Sequence, residues 1–200
     1  MNEHTTEVVR LAVDLAKQVF QVAGEDARDQ VVYEERLKSR QAFSKLLEGL
    51  DGRVEVLMEA GPGAQAWARQ ILRAGGKVRI LPAQRVAEHR SGAKNDRNDC
   101  LAILRAGRDK AIHAVPVKAV EALAMQAEHR GRVGYTRRQT VISNQIRGLL
   151  LEHGLAVARP NALLASWGTW TQRVACSPIP DVLMVLIVDP WAELRLLARL

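Results

Sequence analysis

Two aspartates stand three residues apart in Lys94-Asn95-Asp96-Arg97-Asn98-Asp99, just before the apolar run Cys100 to Leu104. Residues at i and i+3 share a helix face. At a helix start, Asp96 and Asp99 therefore project the same way, one turn apart. Carboxylates that close repel each other and hold their protons more tightly unless a cation lies between them. The plain alternative is a pair of first-turn acids suited to the positive end of the helix dipole, on a solvated face where such spacings are common. Two further acids bear on that choice: Asp14 closes the first strand-like run of the chain, and Glu59 closes the fourth. Functional groups gather at strand ends, where loops converge, so four carboxylates from three segments could meet at one sheet edge. Unpaired, such a cluster is destabilising. One or two Mg²⁺ or Mn²⁺ ions resolve it, because hard cations take oxygen ligands. A two-metal site stabilises both the attacking and the leaving oxygen of a phosphodiester displacement.

The elements that must position these acids are legible in outline. Val8 to Val13, Val19 to Ala23 and Val31 to Tyr33 are short β-prone runs with turn-sized gaps, an antiparallel meander. Gly24-Glu25-Asp26 is expected to be the second turn. Ser39 is an N-cap residue ahead of a helix with Phe43, Leu46, Leu47 and Leu50 at helical spacing. Val54 to Met58 is a fourth strand, followed by the turn Gly61-Pro62-Gly63 and a helix through Trp67, Ile71 and Leu72. Lys77 to Leu81 is a fifth strand. The alternation of strand and helix after the meander predicts a parallel extension of the sheet. Pro82 opens a basic helix that Gly92 breaks before the acidic pair. From Val117 to Leu151 a long helical segment carries a narrow apolar stripe in its second half, decorated by Arg130, Arg132, Arg137, Arg138 and Arg147. Gly131 and Gly134 predict a kink or break, each costing roughly 1 kcal/mol against alanine in a helix interior. Beyond Pro160 the signal weakens. Pro178, Pro180 and Pro190 divide the tail, and Trp167, Trp170 and Trp191 are expected to be buried or to meet a partner.

These segments resemble the N-terminal part of DEDD-type bacterial insertion-sequence transposases, related to the Piv-type DNA invertases, with a core similar to the RuvC Holliday-junction resolvase. The resemblance is carried by Ala12-Val13-Asp14-Leu15-Ala16-Lys17 with Phe20, by Met58-Glu59-Ala60-Gly61-Pro62-Gly63, by Lys94 to Asp99, and by Asn144-Gln145-Ile146-Arg147-Gly148-Leu149-Leu150. Together they cover about residues 8 to 155. The resemblance implies an α/β fold of the RNase H-like kind, a mixed sheet flanked by helices and followed by a long coiled-coil-like helical segment. It divides the chain into a catalytic domain over 7–112, a helical linker and oligomerisation segment over 116–155, and a tail over 156–200 that leads toward a further domain. Asp14, Glu59, Asp96 and Asp99 match the family's four acids and would be its catalytic Mg²⁺ or Mn²⁺ ligands. Lys17, Lys94, Arg97, Arg137, Arg138 and Arg147 are expected to meet nucleic-acid phosphate; for Lys94 and Arg97 a merely solvated position is the equal alternative. Asn95 and Asn98 depart from the family's usual threonine and aliphatic residue without touching the acids. Family members are longer, and the serine that serves as their nucleophile lies in a C-terminal domain beyond Leu200. Ser143, Ser166 and Ser177 do not match its context.

Composition agrees with a nucleic-acid partner. The chain of 200 residues carries a net charge of +7, mostly from arginine, whose planar fork suits phosphate. The expected function is that of a transposase or recombinase N-terminal domain acting on DNA, with a structured guide RNA as a further partner and a homo-oligomer formed through the 117–151 helix. The alternative is a truncated, non-catalytic module that only binds nucleic acid and oligomerises. An actin-like ATPase also ends its first strand on an acid, but that fold needs a glycine-rich phosphate hairpin, and Asp14 is followed by Leu15-Ala16-Lys17. The five histidines form no zinc pattern, and Cys100 and Cys176 read as reduced thiols. A polar N-terminus and an apolar run at 183–188 too short to span a bilayer predict a cytoplasmic protein without a membrane partner.

Overall fold

The computed structural model describes residues 7–15, 17, 19–92, 95–157, 172 and 179–198. Lys94, Trp167, Trp170, Ser166, Cys176, Ser177 and Pro178 lie outside the described residues. The chain divides into two compact units, Met1–Lys118 and Ala119–Leu200.

The first unit is built on a five-stranded mixed sheet in the order β3-β2-β1-β4-β5. The strands are β1 Arg10–Leu15, β2 Phe20–Glu25, β3 Val31–Leu37, β4 Glu55–Glu59 and β5 Lys77–Leu81. β1, β2 and β3 form the expected antiparallel meander, and β4 and β5 extend it in parallel. The expected α/β class, with helices flanking a mixed sheet, is what the chain forms. One detail differs: Gly24 and Glu25 remain in β2, and the turn falls later, where Asp26 accepts from the backbone N–H groups of Arg28 and Gln30.

Alternation along the strands sorts the core into two layers. Leu11, Val13, Val22, Val56 and Met58 face one side, where α1 (Arg40–Glu48) and α2 (Ala64–Arg73) cover them. Ser39 caps α1 as expected, its hydroxyl accepting from the Ala42 N–H at 3.0 Å. Gly63 enters α2 at φ +89°, a left-handed conformation that favours glycine. Phe20, Phe43 and Trp67 meet with ring centroids 4.7 to 5.7 Å apart, the stacked and edge-on geometries that aromatic quadrupoles favour.

Ala12, Ala23, Leu57 and Leu81 face the opposite side, against α3 (Ala83–Glu88) and α4 (Asp96–Arg108). Small residues on β1 and β2 let α4 approach closely. Gly107, near the C-terminal end of α4, carries this furthest: a Cβ there would run into the side chain of Leu57. α4 is also tied down by polar groups. The fully buried Glu25 carboxylate receives Arg10 from β1 and Arg108, the last residue of α4. Nearer its start, the buried Cys100 thiol donates to the Gln21 carbonyl at 2.9 Å.

The second unit pairs α5 (Val120–Glu152) with α6 (Asp181–Leu197) through Ile142, Ile146 and Leu150 of α5 and Ile187, Leu194 and Leu197 of α6. Two expected breaks do not occur. α5 runs as one helix through Gly131 and Gly134, because a helix of 33 residues absorbs two local penalties of about 1 kcal/mol each. Pro190 does not divide the tail but sits inside α6; the buried contacts on either side of it offset the one hydrogen bond it removes. Trp191 is half-buried beside that contact.

These packings predict opposite signs for three glycine substitutions. Gly107→Ala should destabilise the chain by roughly 1–3 kcal/mol through overpacking against Leu57. Gly131→Ala and Gly134→Ala meet open space and should each stabilise α5 by up to about 1 kcal/mol. Urea unfolding followed by circular dichroism reads all three.

Candidate active site at the strand ends

The alternation that sorts the core also aims the acids. On β1 Ala12 faces α4, so Asp14, two residues on, faces the same way. On β4 Leu57 faces α4, and Glu59 follows by the same step. β1 and β4 are parallel and in register through Val13↔Met58, so Asp14 and Glu59 leave adjacent strands side by side. Neighbouring strands lie about 4.8 Å apart. α4 then contributes its first turn. Asn95 is its N-cap, accepting from the Asn98 N–H at 2.8 Å, and Asp96 and Asp99 follow as the acids of that turn.

The four acids are not equivalent. The Asp99 side chain is 15% exposed, against 26% for Glu59 and 61% for Asp96. Asp96 points toward solvent and lies 3.7 Å from Arg36 on β3. Asp14 feels them all. Burial, then the charges of Asp99, Asp96 and Glu59, push its pKa up to about 6, against the opposing pull of Arg90. Among the described residues, no three His, Cys, Asp or Glu side chains are placed to hold one metal ion together.

A residue that the sequence did not single out stands among them. Arg90, just past α3, places Nη2 3.1 Å from Glu59 Oε2 and Nε 3.0 Å from Asp99 Oδ1. One guanidinium thus bridges acids from two separate elements. The signal available beforehand was a cation four residues ahead of an expected acidic site.

The expected phosphate-binding cations are distributed more widely. Lys17 is exposed two residues after the end of β1. Arg97 is committed to Glu34 through two hydrogen bonds of 2.7 Å. In the second unit, Arg137 is exposed and Arg138 pairs with Glu193. Arg147 is half-buried and donates to the Val157 carbonyl at 3.0 Å. The thiol of Cys100, next to Asp99, is pushed well above the ordinary range by burial and is unsuited to nucleophilic work.

A family model described as a transposase, for the DEDD transposases of the IS110 type, matches residues 11–154. The chain is 40% identical over 153 residues to a "Probable family 20 transposase" of Pseudomonas aeruginosa, covering 75% of the chain and 44% of that protein. It is 38% identical over 149 residues to the "Transposase for insertion sequence element IS1111A" of Coxiella burnetii, covering 74% and 40%. It is 28% identical over 162 residues to the "Transposase for insertion sequence element IS1328" of Yersinia enterocolitica, covering 81% and 48%. The chain spans less than half the length of each of these relatives. Among the described residues no helix is long and apolar enough to cross a membrane.

The raised pKa of Asp14 carries a sign. A carboxyl that holds its proton more tightly folded than unfolded favours the folded state at low pH, and that contribution is lost as pH rises from about 4 to about 6. In chelator, Asp14→Asn should therefore raise the melting temperature at pH 8, by on the order of 1 kcal/mol after solvent screening. The gain should vanish by pH 4. Thermal melts of both proteins across that range check it.

Proposed function

The chain belongs to the DEDD transposases of the IS110 type, and on that premise we propose that its first unit supports metal-dependent phosphodiester chemistry on DNA during insertion-sequence transposition. The observation that carries this reading is that Glu59 and Asp99 share one guanidinium, that of Arg90, while Asp14 feels the charges of Asp99, Asp96 and Glu59. The donor set suits Mg²⁺ or Mn²⁺ in chemistry: Mg²⁺ takes one or two carboxylates and completes its shell with water and substrate phosphate, so three protein ligands around one point are not required. The Arg90 guanidinium stands in for such a cation between Glu59 and Asp99.

One or two of Asp14, Glu59 and Asp99 would hold a given metal ion, with Asp96, more exposed, available to a second ion or through water. When bound, the metal supplies charge stabilisation to the attacking and leaving oxygens. A cation beside Asp14 would lower its raised proton affinity and favour its ionised form as a ligand. Exposed Lys17, three residues after Asp14 in sequence, would attract phosphate to this end of the chain's first unit, and exposed Arg137 would do the same on α5 for DNA or for a structured guide RNA. Lys94, outside the described residues, belongs to the same proposal through its place in the motif. Arg97, Arg138 and Arg147 are already engaged within the chain, so each would have to exchange a partner to contribute.

Exposed apolar Val120, Met125, Val133 and Val141 on α5 support self-association of the 117–151 helix. Met125→Glu with Val141→Glu should lower the mass measured by light scattering at matched concentration; an unchanged mass would remove the helix as an interface.

A second reading keeps the fold and the nucleic-acid partner but not the catalysis. The pairing of both Glu59 and Asp99 with Arg90 favours it. The two readings part on one assay, Mn²⁺-dependent nicking of duplex and branched DNA. Cleavage that disappears in the Asp14→Ala, Asp99→Ala double variant supports the catalytic unit. Binding without cleavage, equal in both proteins, supports the non-catalytic module.

A further inference from the structure

We propose that Arg90 is a built-in counter-ion that a divalent metal displaces, holding Glu59 and Asp99 together beforehand and competing for the same oxygens. The proposal rests on the metal-site reading above. Its geometry is that of a cation shared by two acids: Nη2 lies 3.1 Å from Glu59 Oε2 and Nε 3.0 Å from Asp99 Oδ1. Glu59 comes from the end of β4 and Asp99 from the first turn of α4, so the guanidinium ties two elements together from a third segment.

The backbone that carries Arg90 is anchored independently of those acids. The Arg90 N–H donates to the Ala87 carbonyl at 3.2 Å. Arg105 of α4 reaches the Ser91 hydroxyl at 2.7 Å and the His89 carbonyl at 3.4 Å. Arg90's own side chain is 37% exposed. The segment therefore stays in place while the arginine head is able to leave, and its departure uncovers no apolar core. A cation within 3.1 Å of both acids cannot coexist with a divalent ion on the same oxygens, because like charges at that distance repel strongly. Once displaced, the planar fork is available to a nucleic-acid phosphate. Metal loading and phosphate contact would thus be linked through one side chain, and Arg90 is a positioning residue rather than a metal ligand.

The test is Mn²⁺ affinity, read by electron paramagnetic resonance on the 200-residue chain, for wild type, Arg90→Ala, Arg90→Gln and Asp99→Asn, with circular dichroism as the check on folding. Arg90→Gln keeps hydrogen-bonding capacity while removing the charge, and serves if the alanine variant folds poorly. Both Arg90 variants should bind Mn²⁺ roughly tenfold more tightly than wild type. In chelator both should melt lower than wild type, and Mn²⁺ should recover more of their stability than it adds to wild type. Equal affinity in wild type and Arg90 variants, with binding lost in Asp99→Asn, would overturn the counter-ion role and leave the metal site intact. Weaker binding in both Arg90 variants would also overturn it, making Arg90 a support for the site rather than a competitor. No Mn²⁺ binding to wild type or to the Arg90 variants would sink the metal-site reading and this proposal with it.

Discussion

Like charge gathered at one end of a sheet is the constraint on which the rest of this structure depends. Two parallel strands deliver Asp14 and Glu59 side by side, and the first turn of α4 adds Asp96 and Asp99. Nothing in folding rewards that arrangement; burial, and after it the charges of Asp99, Asp96 and Glu59, raise the proton affinity of Asp14. Arg90 offsets part of that charge by pairing with Glu59 and Asp99.

The remainder of the first unit keeps the acids from drifting apart. α4 could relieve the repulsion by sliding or tilting, and several contacts oppose that. Arg108 is held by the buried Glu25 at the end of the helix, Cys100 reaches the Gln21 carbonyl near its start, and Gly107 lets the helix seat against Leu57. On the other face of the sheet the Phe20, Phe43 and Trp67 cluster fixes α1 and α2 without touching the acids. Breaking a buried charge pair costs roughly 3–5 kcal/mol, so the Glu25 cluster is well suited to restrain a helix whose opposite end is under electrostatic strain.

How much of this could be read from the residues depended on whether the signal was local. Asp14 and Glu59 close short β-prone runs, and Asp96 and Asp99 share a spacing that any helix start would turn to one face. The antiparallel meander and the parallel extension followed from the strand–helix alternation; that β4 joins beside β1 is set by long-range pairing that no local pattern carries. Arg90 was invisible because its meaning is spatial: one basic residue among many, until the fold sets it between two carboxylates. The same reason explains Arg147 and Arg97, which look like free cations in sequence and find partners ten and sixty-three residues away. Gly131, Gly134 and Pro190 failed in the other direction. Their local penalties are real, but α5 and α6 draw their stability from length and from Ile142, Ile146, Leu150, Ile187 and Leu194.

The central claim is that the acids at the strand ends share a cation. The most direct test is anomalous diffraction from crystals of the chain grown with Mn²⁺. The account predicts a manganese peak coordinated by Asp14 together with Glu59 or Asp99, and Arg90 turned away from both. A peak elsewhere, or an Arg90 still bridging Glu59 and Asp99 at saturating Mn²⁺, would contradict it.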